Sequence, residues 1–229
     1  TSGQGTRVLK EATTTIPIVM AVGGDVMADG LVASLARPGG NITGSVAFNP
    51  ELAAKRLEFL KGAVPTLARV AVLLNPANRA SGADFEVMKK AATALQVEVF
   101  EVPARSPQGF DDAFALMLRR RAEGLVTLGD SMLVANMRRL GEMSAAKRLP
   151  GAGSDEYADG GGLLVYGVNF PDLWRRAPYF VDKILKGGKP ATIPVEQASR
   201  FEFIINLKTA KALGLTIPLP LLLRADQTI

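Results

Sequence analysis

At 229 residues, 48% of them hydrophobic, with 23 glycines and 14 prolines, the chain can fill one large domain or two smaller lobes and is too apolar for a disordered polymer; no apolar run approaches the ~18 residues a membrane helix needs. It contains neither cysteine nor histidine, which removes thiol nucleophiles, thiolate zinc sites, histidine-based triads and histidine metal ligands together, and zero cysteine also suits an oxidising compartment. The 27 basic and 22 acidic residues leave a net charge of +5, but the basic pairs and triplets (Lys89 and Lys90; Arg119, Arg120 and Arg121; Arg138 and Arg139; Arg175 and Arg176) fall in helical patterns beside acids, without interleaved aromatics, and read as solvated helix faces rather than a nucleic-acid surface.

The opening stretch TSGQGTRVLKEATTTIPIVM has no basic n-region leading into an apolar h-region, so a leader is expected to have been removed or to lie upstream. Thr1, Ser2 and Gly3 are expected to form a loop before a helix, and residues 16–20 the first strand. A helix is expected from Asp25, then a turn at Pro38-Gly39-Gly40 and a short strand at 42–46. Asn49, Pro50 and Glu51 supply an N-cap, a proline at the first helical position and an acid in the first turn. Ala53, Leu57, Leu60 and Val64 make the apolar stripe of that helix, and residues 70–74 the next strand. A helix with Phe85, Met88, Ala92 and Leu95 leads to a strand at 97–102. Asp111 and Asp112 open another helix, where acids favour the dipole. A strand at 125–128 precedes a stripe at Leu133, Met137 and Leu140. After a strand within 163–168 comes a helix with Leu173, Ala177, Phe180 and Ile184, ended by Gly187 and Gly188 with Pro190 beyond. Residues 198–206 alternate and lead into a last short helix.

The strands mostly lack polar alternation, as strands covered on both faces do. Their regular exchange with helices implies right-handed βαβ units. The fold class is therefore α/β with doubly wound parallel sheet. Segments 45–50, 163–171 and 198–206 read as crossings between two lobes, and three crossings would make a hinge.

Ligands of open α/β sheets bind at the carboxyl ends of strands. Those positions hold Gly23, Gly24 and Asp25; Asn75; Gly129, Asp130 and Ser131; Ser154, Asp155, Glu156 and Tyr157; and Asn169. Any one of them also suits a cap or turn, but small polar residues recurring after successive strands point to a crevice for a compact polar ligand. Gly3-Gln4-Gly5 lacks the third glycine of a dinucleotide fingerprint, and there is no Walker A or G-x-S-x-G sequence. The DGGG run at 159–162 reads as a turn, and Asn41-Ile42-Thr43 matches a glycosylation acceptor. Phe48, Trp174 and Tyr179 read as packing residues; Tyr157 and Tyr166 stand between packing and ligand contact. Asp155 and Glu156 lie in the expected crevice without a nucleophile or metal set, so no catalytic residue is assigned.

Seven segments carry a further signal: TTTIPIVMAV, GLVASLARPGGNITG, ELAAKRLEFLK, RVAVLLNP, GGLLVYGVN, VDKILKGGKPATIPVEQ and FEFIINLKTAKALGLTIP. In wording and order they resemble the periplasmic solute-binding proteins of bacterial ABC transporters, almost end to end. The resemblance implies the type I periplasmic binding-protein fold: two doubly wound parallel-sheet lobes joined by a three-strand hinge and closing over a ligand. The lobes would comprise 1–48 with 169–198, and 49–168 with 199–229. It also implies a receptor rather than an enzyme, without cofactor or metal. Such a receptor is monomeric and periplasmic or lipid-anchored, and it serves a membrane ABC permease with no nucleic-acid partner. Ligand contacts would fall at Ser2, Asp25, Asn49, Asn75, Asp130, Ser131, Tyr157 and Asn169, and the ligand would be an aromatic amino acid or a related small solute. The chain departs from the family twice. Family members begin about a hundred residues earlier, so this chain would start inside the amino-terminal lobe. Amino-acid-binding relatives carry an aspartate where this chain has Asn169, and an amide lacks the charge that strengthens a bond to an ammonium group. An alternative is the ligand-sensing domain of a lactose-repressor-type regulator, which shares the fold; an α/β enzyme is a third, disfavoured by the missing histidine and cysteine.

Overall fold

The structure, a computed structural model, describes residues 3–47 and 51–229. Ser2, Phe48 and the Asn49-Pro50 helix start therefore lie outside the described residues.

The chain opens with α1 (Gly3–Ala12) and β1 (Ile18–Gly23). The strand starts two residues after the apolar run does. Pro17 has no N–H for a ladder, Ile16 is 65% exposed, and the first ladder bond runs from Ile18 N–H to the Asn41 carbonyl (2.8 Å). The Asn41 side-chain amide is spent on the Ile16 and Thr13 carbonyls (2.8 and 3.1 Å). Asp25 does not open a helix. Its carboxylate accepts from Ala28 N–H (3.0 Å), and Gly30, at φ +64°, lets Leu31 N–H return to the Val26 carbonyl (2.8 Å). That left-handed step ends the turn before a helix can propagate. Val26, Leu31 and Val32 are buried all the same, against Ile18, Met20, Ile42 and Val46.

Next come β2 (Ile42–Val46), α2 (Glu51–Ala63), β3 (Arg69–Leu74), α3 (Ser81–Ala94), β4 (Glu98–Pro103), α4 (Phe110–Arg119), β5 (Gly124–Thr127), α5 (Ser131–Val134) and α6 (Met137–Ala146). The chain ends with β6 (Gly151–Gly153), β7 (Leu164–Val168), α7 (Phe170–Leu185), β8 (Glu196–Gln197), β9 (Phe201–Ile205), α8 (Leu207–Leu213), α9 (Leu219–Leu222) and β10 (Gln227–Thr228). It divides into two compact units, Thr1–Asn49 with Val168–Phe201 and Pro50–Gly167 with Glu202–Ile229.

In the smaller unit β1, β2 and β8 form a parallel sheet in the order β1-β2-β8. Gly44 makes the β1–β2 pairing possible: at φ +133°, a Cβ there would overlap the Met20 backbone. Helix α7 packs Leu173 and Phe180 inward, while Trp174 (59% exposed), Val181 and Leu185 (81% exposed) form a second, open apolar stripe.

The larger unit has a seven-stranded sheet in the order β10-β9-β7-β6-β5-β3-β4. The five strands β7, β6, β5, β3 and β4 are parallel. Strand β9 breaks the rule. Asn206 N–H bonds the Leu163 carbonyl (2.9 Å), and further along Asn169 N–H bonds the Arg200 carbonyl (3.1 Å). One partner's number falls as the other rises, the signature of an antiparallel ladder, and β10 runs parallel to β9. The sheet is thus parallel with an antiparallel flank.

Alternate residues of β3 enter different cores: Val70, Val72 and Leu74 join Leu57, Leu60, Phe85 and Met88 from α2 and α3. Ala71 and Leu73 join Phe114, Met117, Leu133, Met137 and Leu140 from α4, α5 and α6 on the other face. Helices on both faces explain the unbroken apolar strands. The Leu133-Met137-Leu140 stripe stays buried but is split between α5 and α6, because Asn136 leaves helical geometry and turns its amide back to the Met132 carbonyl (2.8 Å).

Candidate functional site

In the larger unit, the loops that follow β3 and β5 at the carboxyl edge of the sheet are sewn together by polar side chains. Asn75 Oδ1 accepts from Ala77 N–H (3.0 Å) and closes an Asx turn. Its Nδ2 donates to Asp130 Oδ2 (3.2 Å). Asp130 Oδ1 in turn caps α5, accepting from Met132 and Leu133 N–H at 2.9 and 3.2 Å. Asn78 donates to the Gly129 carbonyl (3.1 Å), and the buried Ser81 hydroxyl donates to the Asn75 carbonyl (2.8 Å). Asn75 and Asp130 are half-buried and Ser131 is exposed. The arrangement presents a carboxylate oxygen and a hydroxyl from a braced loop, groups suited to the polar end of a small ligand.

In the smaller unit, Asp25 follows β1 and is half-buried, with one carboxylate oxygen engaged in its turn. Asn169 caps α7, its Oδ1 accepting from Asp172 N–H (2.9 Å). Asp172 pairs with Arg175 and Arg200 at 2.7 and 2.9 Å. Asn169 is thus a neutral cap whose oxygen is already directed at the helix.

Tyr157 is placed differently from its expected ligand position. The side chain has no exposed surface, its hydroxyl donates to Ser144 Oγ (2.7 Å), and burial pushes the phenol far above its ordinary pKa. Gly151, Gly153 and Gly162 press on it so closely that none has room for a Cβ. It is a packing residue. Glu156 is exposed and faces Arg138 at 3.6 Å. Tyr166 is half-buried at the core margin, its ring edge-on to Phe59 at 5.0 Å, and its pKa is raised, first by burial.

Several contributors gave no distinct sequence signal. Asn78 and Ser81 are turn and helix-start residues until the fold brings β5 beside β3. Arg56 looks like one more charge on a solvated helix, yet it is 3% exposed, with Nε donating to the Tyr166 carbonyl (2.7 Å) and Nη1 to that of Thr127 (2.8 Å). Among the described residues, no cluster of acidic side chains could hold a metal ion, and no helix is long and apolar enough to cross a membrane.

These features define a two-unit α/β protein of the type I periplasmic binding-protein class. Residues 2–229 match the profile of the ABC transporter substrate binding proteins, and the chain belongs to that family, which is one of binding proteins rather than enzymes. It is 27% identical over 205 residues to a tyrosine-binding protein of Clostridioides difficile (strain R20291), a match covering 89% of this chain and 59% of that protein. The chain therefore spans less than two thirds of that relative. All of it superposes on an ABC domain from Streptococcus pneumonia in complex with L-Trp, with a TM-score of 0.89, 26% identity and 78% of that chain covered. A conserved domain protein from Vibrio cholerae gives a TM-score of 0.89 at 24% identity, with 100% of this chain and 76% of that one covered.

Proposed function

We propose that this chain is the solute receptor of an ABC importer, taking an aromatic amino acid or a related small solute between its two units and handing it to a membrane permease. The family match over residues 2–229 carries the reading. The bound L-Trp of the Streptococcus relative and the tyrosine named for the Clostridioides relative supply the ligand class. Asp25, Asn75, Asp130, Ser131 and Asn169 are the proposed contacts, with Ser2 and Asn49 completing the set and Tyr157 withdrawn to the core. The receptor would work in the periplasm or from a lipid anchor, as a monomer, on the outer face of the membrane.

Because Asn169 is neutral, a free α-ammonium group has less to bind here than it would beside an aspartate. The deciding measurement is isothermal titration with L-tryptophan, L-tyrosine, L-phenylalanine and their deaminated acids. Saturable binding of one of these, weakened at least about tenfold by Ser131→Ala, supports the reading; no heat and no thermal shift with any of them overturns the ligand class. The regulator alternative has only the shared fold in its favour.

A further inference from the structure

The larger unit comprises Pro50–Gly167 and Glu202–Ile229, so α2, β7 and β9 are the elements that begin or end at its three junctions with the smaller unit. Each sends an aromatic side chain into one cluster. Phe59 of α2 stacks on Phe203 of β9 at 4.0 Å between ring centroids and meets Tyr166 of β7 edge-on at 5.0 Å. Tyr166 and Phe203 are themselves 6.5 Å apart and edge-on. One helical turn before Phe59, the buried Arg56 guanidinium bonds two strand carbonyls, that of Tyr166 in the middle of β7 at 2.7 Å and that of Thr127 at the end of β5 at 2.8 Å.

We propose that Arg56, Phe59, Tyr166 and Phe203 clamp α2, β7 and β9 of the larger unit into one rigid body, with Arg56 as the positioning residue for the carboxyl end of β5 and the middle of β7. A guanidinium suits this task because its planar fork can address two acceptors at once from a fixed geometry, which an ammonium cannot. Sliding β7 against α2 would leave a buried charge facing carbonyls it no longer reaches, while parting β9 from α2 would separate stacked rings. Helix α2 and strands β7 and β9 are consequently held together within the larger unit. Asp130 lies three residues beyond Thr127 and Asn169 three beyond Tyr166, so the same clamp holds the roots of two proposed contact residues. The clamp itself rests on contacts within one unit and stands whatever the ligand is.

Hydrogen–deuterium exchange read by mass spectrometry tests this. In the wild type, 164–167 and 202–205 should be protected to the level of the central strand 124–127, despite adjoining junctions. Arg56→Met should speed exchange at 124–127 and 164–167 by about tenfold or more and leave β4 within about twofold. Arg56→Lys should free one of those two strands and keep the other, and Phe59→Leu should act on 202–205. Exchange at 164–167 as fast as in a frayed terminus, or a uniform rise across all strands in the variants, would overturn the proposal. If Arg56→Met does not fold, the wild-type pattern and Phe59→Leu still decide it.

Discussion

Asn75 and Asp130, the residues that follow β3 and β5, are joined side chain to side chain at 3.2 Å, while the other oxygen of the same carboxylate caps α5. One acid thus braces two loops and caps a helix, and it retains an oxygen with lone-pair capacity for a ligand.

Substitution at Asp130 should therefore affect stability as well as binding. Asp130→Ala loses the cap and strands the Asn75 amide, a cost of about 1–2 kcal/mol. Asn75→Ala removes only the cross-loop bond and its own turn, and should cost less, near 1 kcal/mol. Urea unfolding of both variants checks the order; equal and negligible losses would show that the loop is not braced in solution.

Tyr157→Phe should destabilise without touching the site. It removes the bond to Ser144 and leaves that buried hydroxyl unpaired, at about 1–3 kcal/mol. In the double variant Tyr157→Phe with Ser144→Ala both polar partners are gone, so the combined loss should be smaller than the sum of the two single losses. A ligand affinity changed more than about threefold in Tyr157→Phe would return this residue to the binding set.

Two glycines after or within neighbouring strands should separate sharply. Gly44→Ala places a Cβ against the Met20 backbone from a left-handed φ of +133°, and a loss above about 3 kcal/mol or failure to fold is expected. Gly24→Ala meets no atom within 4 Å and should cost less than about 1 kcal/mol. Thermal unfolding of the two variants makes the comparison.

Arg176 grips Glu196 through two bonds of 2.7 and 2.8 Å, fastening α7 to edge strand β8. Those bonds hold the Glu196 carboxyl below its ordinary value of 4.5, burial acting the other way. A carboxylate lowered in the folded state stabilises the fold above its unfolded pKa, and the contribution fades as pH falls through the folded one. Both side chains are more than a third exposed, so solvent screening limits the effect to under about 1 kcal/mol. Melting temperatures from pH 6 downward should fall less steeply below 4.5 in Arg176→Gln than in the wild type; parallel curves would refute the assignment.

Strand and helix identity were legible where periodicity was strong. The unbroken run at 70–74 is β3, buried on both faces, and Phe85, Met88 and Ala92 line α3 against it. The helix expected from Asp25 was not realised, because Gly30 takes a left-handed φ that no apolar pattern reveals. Strands β6, β8 and β10, at two or three residues each, are too short for a period to register. The antiparallel setting of β9 was equally hidden, since strand direction depends on where the chain re-enters a sheet.

By itself the sequence determined the α/β class, the family, the exclusion of histidine and cysteine chemistry, and the strand-end positions of Asp25, Asn75, Asp130 and Asn169. Those properties follow from local periodicity, composition and adjacent residues. Only the tertiary structure decided that Tyr157 is core, that Asn75 bonds Asp130 across 55 residues of chain, and that Arg56 is buried against strand carbonyls 71 and 110 residues away. A side chain's burial and partners depend on which distant segments the sheet order brings beside it, and no local pattern encodes that order.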